Sequence, residues 1–206
     1  MNPKVIKRFI IYMAIATFVM FTFWAIVKSY LNRPAGDYET EVCDIRLKDK
    51  KFEQALENAN IALEKSPNHR GAMMCKALVY ISQKDYINAN KELDSLINFL
   101  EKTLTEDDLT GKGTLAAAYA NRGIIKDRNE KYEEALKDYL QSLGIDPKAV
   151  EGPGLGTVIL NYKFKSSSVK ERALYIYEQL KLPENERLLK IKELDEGQVM
   201  HKPSKL

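Results

Sequence analysis

Histidine and cysteine are nearly missing from this chain, with two of each in 206 residues. Cys43 and Cys75 form no Cys-x-x-Cys pair, and His69 and His201 no His-x3-His pair. A structural zinc site draws four such ligands from short, repeated spacings, so no metal centre is expected. Neither His nor Asp accompanies the serines at 166–168, which removes a Ser-His-Asp arrangement there. Gly111-Lys112-Gly113-Thr114 lacks the earlier glycine of a phosphate loop, because Asp107 and Asp108 stand in that region and no strand precedes it. Glu106-Asp107-Asp108 lacks the alternating ligands and closing Glu of a calcium loop. With no catalytic constellation, the chain is expected to be no enzyme and to take neither cofactor nor small-molecule substrate.

Acidic residues are absent from positions 1–33, which carry Lys4, Lys7, Arg8, Lys28 and Arg33. These five account for more than the formal net charge of +3 and leave 27 basic against 29 acidic residues in the remainder. A basic face able to release phosphate counterions is therefore not expected, and nucleic acid is excluded as a partner. Within this acid-free region Phe9–Val27 is a run of 19 uncharged residues. As a helix it spans roughly 28 Å, about the hydrocarbon thickness of a bilayer. Tyr12 and Trp24 lie near its two ends, where aromatic side chains favour the interface. A cleaved signal peptide has an apolar region of roughly 7–15 residues and a small-x-small exit. Lys28-Ser29-Tyr30-Leu31 is no such exit, so an uncleaved lipid-embedded anchor is expected. Three basic residues precede the span and two follow it. The positive-inside rule then leaves the N-terminus in the cytoplasm and carries the rest across, into the periplasm in a bacterium. A cytosol-facing domain is the alternative.

After a linker at 28–37, punctuated by Pro34 and Gly36, a spacing recurs. In the stretch from Tyr119 to Pro147, Tyr119 and Gly123 precede a break at Arg128–Lys131, and Tyr132, Ala135, Tyr139 and Pro147 follow it. Phe52, Ala55, Ala59, Ala62 and Pro67 repeat the second half, as do Tyr86 and Ala89, with Ala77 and Tyr80 in first-half slots. Here the chain resembles a tetratricopeptide repeat (TPR), a helix–turn–helix unit of about 34 residues. Arg122 and Lys126 depart from the family pattern, standing where Leu and Tyr are usual. The resemblance implies an all-α, TPR-type helical-hairpin solenoid behind one transmembrane helix. Its repeats cover about 36–68, 69–100 and 116–149, with a 12-residue insertion at 101–112 read as a solvated loop or a local recognition element.

A degenerate fourth helical pair is expected at 152–181. Its first helix is Thr157–Lys163; the second, Val169–Leu180, opens on the capping box Ser168-x-x-Glu171 and buries Leu174, Ile176, Tyr177 and Leu180. In the tail at 182–206, Pro183–Lys190 reads as one more helical segment and the rest as extended. Cys43 and Cys75 lie about one repeat apart on successive first helices. They are two separate core thiols or, in an oxidising compartment, a disulfide.

The family's first helices line a concave groove that binds a peptide or helix. Carried onto this sequence, the groove slots are Thr40, Asp44 and Leu47, then Met74, Leu78 and Ile81, then Ala117, Ala120, Ile124 and Asp127. The Lys/Asn/Arg clamp with which co-chaperone TPRs hold a terminal carboxylate is absent from these slots, and the middle of the groove is apolar. That suits an amphipathic helix or an extended hydrophobic segment from a protein partner in a membrane or envelope complex. The competing occupant is the chain's own tail, through Leu188, Leu189, Ile191 and Leu194, or its insertion. The implied role is a scaffold or assembly adaptor in a bacterial cytoplasmic membrane, or else a cytosol-facing receptor or tether.

Overall fold

Periodic apolar spacing and a helix-capping residue at most chain breaks produce an all-helical architecture. The computed structural model describes residues 3–148, 168–191, 198, 200 and 201. Among these are eight α-helices and no strand. Helix α1, Pro3–Leu31, extends the expected span at both ends. Its segment Pro3–Lys28 is long and apolar enough to cross a membrane, and none of it is buried against the rest of the protein. Thr17 and Thr22 donate their hydroxyls to the carbonyls of Met13 (2.8 Å) and Val19 (2.9 Å). That leaves two polar side chains satisfied within the helix itself.

Six helices then form three hairpins: α2 (Asp37–Lys48) with α3 (Phe52–Lys65), α4 (Arg70–Ser82) with α5 (Tyr86–Thr103), and α6 (Leu109–Arg128) with α7 (Tyr132–Ile145). Each turn places one residue in the left-handed region: Lys50 (φ 58°), Lys84 (φ 62°) and Glu130 (φ 62°). The following amide donates back to the carbonyl five positions earlier, Lys51 to Arg46, Asp85 to Tyr80 and Lys131 to Lys126, at 2.8–2.9 Å. Lys50 and Lys84 are 34 residues apart, and Glu130 follows 46 later. The sequence period is thus also a backbone period, interrupted by twelve extra residues.

Those residues do not form the solvated loop expected of 101–112. They lengthen α5 and α6 to 18 and 20 residues, leaving 104–108 as the connector. Asp108 caps α6 by accepting from the Gly111 amide (2.7 Å) and pairs with Arg70 of α4. The segment is drawn into helix because it can supply its own cap and a stacked partner.

Close approach within the third hairpin explains the small-residue slots. A Cβ on Gly123 would lie 2.7 Å from two ring carbons of Tyr139. Arg122 and Lys126, the departures from the repeat pattern, serve the same hairpin by charge. Arg122 donates to both oxygens of Asp138 on α7 (2.8 Å each) and to Asp94 on α5 (2.7 Å), and Lys126 reaches Asp138 at 2.8 Å. Arg122 also lies over the Tyr119 ring at 5.1 Å.

The first helices α4 and α6 are buried on most of their faces, because α2, α4 and α6 touch in series while each second helix packs on its neighbours. Leu93, Leu96 and Leu100 of α5 are fully buried against them. Each such leucine contributes about 1.5–3 kcal/mol. Cys43 and Cys75 form a disulfide joining α2 to α4, with a Cα–Cα distance of 6.5 Å. This resolves the two readings of the cysteines in favour of pairing.

Helix α8, Val169–Leu180, opens on the expected capping box, with both Ser168–Glu171 bonds present. Its buried face differs from the expected one. Val169, Arg172, Ala173 and Ile176 are buried, Leu180 is packed at the edge, and Leu174 and Tyr177 are exposed. Only Glu184–Glu186 of the expected segment Pro183–Lys190 is helical, as a short 3-10 turn. The expected helix Thr157–Lys163 lies outside the described residues.

Candidate partner-binding groove

The expected groove residues lie on α2, α4 and α6, and the structure divides them among three places. Met74, Leu78, Ile81 and Ala117 are buried in one cluster with the α5 leucines, and Leu47 packs at its edge. Ala120 and Ile124 are buried in a second cluster with Tyr139, Val169, Ala173 and Ile176. Thr40 and Asp44 lie apart from both. Thr40 donates to the Gly36 carbonyl (2.8 Å) and sits 3.3 Å from His69 Nδ1. Asp44 is half-buried. His69 in turn accepts from the Ala72 amide as the cap of α4 and bonds Asp37 at 2.8 Å, so this corner fastens α2 to α4.

Asp127, the one charged residue expected in the third-repeat groove, lies at the centre of a buried polar network. Arg172 of α8 donates to both its oxygens, Nε to Oδ2 and Nη2 to Oδ1, each at 2.7 Å. The Tyr139 hydroxyl donates to Oδ2 at 3.1 Å. A charge pair removed from water is tolerated only with such geometry and with its remaining lone pairs satisfied. Burial and the Asp127 charge together push the Tyr139 phenol well above its ordinary pKa, so it is a neutral donor.

The network's last donor comes from the C-terminal segment. Gln198 Nε2 reaches Asp127 Oδ2 (2.8 Å) and the Tyr139 oxygen (3.1 Å). Three residues on, Asn121 of α6 holds the backbone of His201 at both ends. Its Oδ1 accepts from the His201 amide (2.8 Å) and its Nδ2 donates to the His201 carbonyl (2.7 Å). Between them Met200 packs on the first cluster, its sulfur 4.0 Å from the Ser82 hydroxyl. Ile124, Tyr139, Ser168, Val169, Arg172, Gln198 and His201 line a small recess. Burial lowers the His201 pKa to about 4, so its imidazole is neutral near neutrality.

No known family model matches this chain, and no curated protein sequence matches it. What the groove does must be read from its own chemistry.

Among the described residues, then, the α4–α6 part of the expected groove is covered by the chain's own C-terminal segment, through Leu189 among the expected residues and otherwise through others. Leu188 is exposed, with its carbonyl accepting from Tyr175 (2.5 Å). Leu189 packs on the second cluster and its carbonyl accepts from Arg172 (3.0 Å). Ile191 is half-buried, and Leu194 lies outside the described residues. The residues that do the holding, Asn121, Arg172, Gln198, Met200 and His201, were not among those singled out. Asn121 and Arg172 each carried a signal: a polar residue inside the small, apolar run Ala116–Ala120 and Ile124–Ile125, and a charge between Val169 and Ile176 on one helical face.

Proposed function

We propose that this chain is a membrane-anchored TPR protein that acts by binding, not by catalysis, and scaffolds or assists assembly of a membrane or envelope complex. The observation that carries this reading is Asn121, which grips both backbone groups of His201. A side chain used in this way recognises polypeptide as such. The TPR assignment draws support from the 34-residue step between Lys50 and Lys84 in the turn backbone. Membrane attachment draws support from α1, whose apolar surface is wholly uncovered. The disulfide supports an oxidising compartment, hence the periplasmic face of a bacterial cytoplasmic membrane, because reducing cytosol does not sustain such bonds in most proteins.

Site-specific crosslinking in intact membranes from a photoreactive leucine analogue at Leu78, which lies in the cluster under Met200 and leaves Asn121 intact, tests the reading. A reproducible crosslink to one other envelope protein supports it, and crosslinks confined to lipid and to this chain under all growth conditions count against it. A second reading, a cytosol-facing receptor or tether held closed by its own tail, is favoured by the filled groove. Protease access to the C-terminus of spheroplasts separates the two, since only a periplasmic domain is digested.

A further inference from the structure

The C-terminal segment describes the ligand that its seat is built to accept. We propose that the groove recognises, on a foreign protein, an extended segment with a carboxamide side chain and, two residues later, an apolar side chain unbranched at Cβ. The residue after that is gripped by its backbone. This inference rests on the binding role proposed above and specifies the partner's chemistry.

Each element of the seat imposes one requirement. Asp127 is already neutralised by the two bonds from Arg172, so the Asp127–Arg172–Tyr139 site has no net charge to offer. A carboxamide donates to Asp127 and Tyr139 without bringing a charge. A carboxylate there would be an uncompensated anion beside Asp127, in a place with little access to water. Met200 meets a cluster containing Met74 and Leu78, and flexible, polarisable side chains on both sides adapt to straight apolar partners. Asn121 is indifferent to the side chain it serves, because it bonds only the amide and carbonyl of His201. The His201 ring lies with Arg172 along one small recess, and beside a guanidinium a neutral ring is favoured over a cation.

The resident segment is also an imperfect occupant. The Gln198 Oε1 atom is buried without a hydrogen-bond partner among the described residues. A foreign segment that brings a donor of its own to that oxygen competes with it on favourable terms. The chain's own segment thus holds the seat by proximity rather than by best fit.

The test uses full-length protein in detergent micelles and a fluorescent peptide with the sequence of residues 196–206. Gln198→Glu ejects the resident segment, and a second variant ending at Gly197 removes it. Both variants are expected to bind the peptide at least about tenfold more tightly than the unaltered chain. The same peptide with Glu in place of Gln should lose at least about tenfold in affinity, while Leu in place of Met should be tolerated. Selection from a random peptide library on either variant should enrich Gln or Asn followed two positions later by Met or Leu. Failure of both variants to bind the peptide, with helicity and disulfide intact, overturns the proposal. So does equal binding of the Gln and Glu peptides. Concentration-dependent dimers that exchange segments also overturn it, because the occupant is then a second copy. If these results fail while the probe at Leu78 crosslinks to another protein in membranes, the binding role stands and only the ligand chemistry falls.

Discussion

Acidification is expected to release the C-terminal segment from the groove, and His201 sets the pH range. Its buried imidazole has a pKa of about 4. Once released into water it returns to about 6.5. The released form therefore takes up a proton that the seated form refuses, and seating strengthens as pH rises. Above about pH 6.5 both forms are neutral and the full attachment is present. Between about 6.5 and 4 each unit of acidification weakens it by about 1.4 kcal/mol, levelling near 3 kcal/mol, or a few hundredfold in the seating equilibrium. The groups facing the imidazole are Arg172 of α8 and Tyr139 of α7, with Asp127 of α6 beyond Gln198. Arg172 already engages Asp127, and burial alone accounts for the lowered pKa. Hydrogen exchange at residues 198–201, compared at pH 7.5 and 5, reads the release. An imidazole NMR titration reads the pKa. His201→Gln should abolish the pH dependence. A seated imidazole that titrates near 6.5, or acid release that persists in His201→Gln, refutes the reasoning.

Three further outcomes follow from the packing. Lys84 occupies the left-handed region at the turn between α4 and α5, and Lys84→Gly should raise stability by about 1 kcal/mol; an unchanged or lower urea midpoint would contradict the strain. Removing the Cys43–Cys75 bond, which spans 32 residues, should cost about 4 kcal/mol by loop-closure entropy. Denaturation of a Cys43→Ala, Cys75→Ala double variant should then match that of the reduced unaltered chain. Arg172→Met should destabilise by about 3–5 kcal/mol, because it strands the buried Asp127 carboxylate. Adding Asp127→Leu should restore most of that loss, and thermal melts of the two variants show whether it does.

The hairpins were legible because their signals are local. Ala55, Ala89 and Ala135, three positions after an aromatic, mark close helix approach, and Ser168-x-x-Glu171 writes a helix start in four residues. The face of α8 was only half legible from hydrophobicity, which placed Ile176 and Leu180 rightly and Leu174 and Tyr177 wrongly. A carboxylate on α6, distant in sequence, draws Arg172 inward and rotates Val169, Ala173 and Ile176 onto the core. The same limit applies to the groove. Its apolar lining at Met74, Leu78 and Ile124 could be counted off the repeat, but its occupant is fixed by Asn121 and Asp127 bonding residues some 80 and 71 positions away. The cysteine spacing placed both thiols on successive first helices, and only the packed orientation of α2 against α4 decided their union.

A stack of hairpins frays from its ends, since a terminal unit is held by one neighbour instead of two. Here the first hairpin is also the one joined to α1 through a five-residue connection at 32–36, so any pull on that helix enters the stack at α2. The bond from Cys43 to Cys75 places a covalent strut across that joint. Tension entering α2 is handed directly to α4, bypassing α3, and peeling of the first hairpin must stop there. The joint between the apolar helix and the hairpin stack is thereby the mechanically hardened end of the molecule, and the seat at Asn121 lies beyond the strut, shielded from the load.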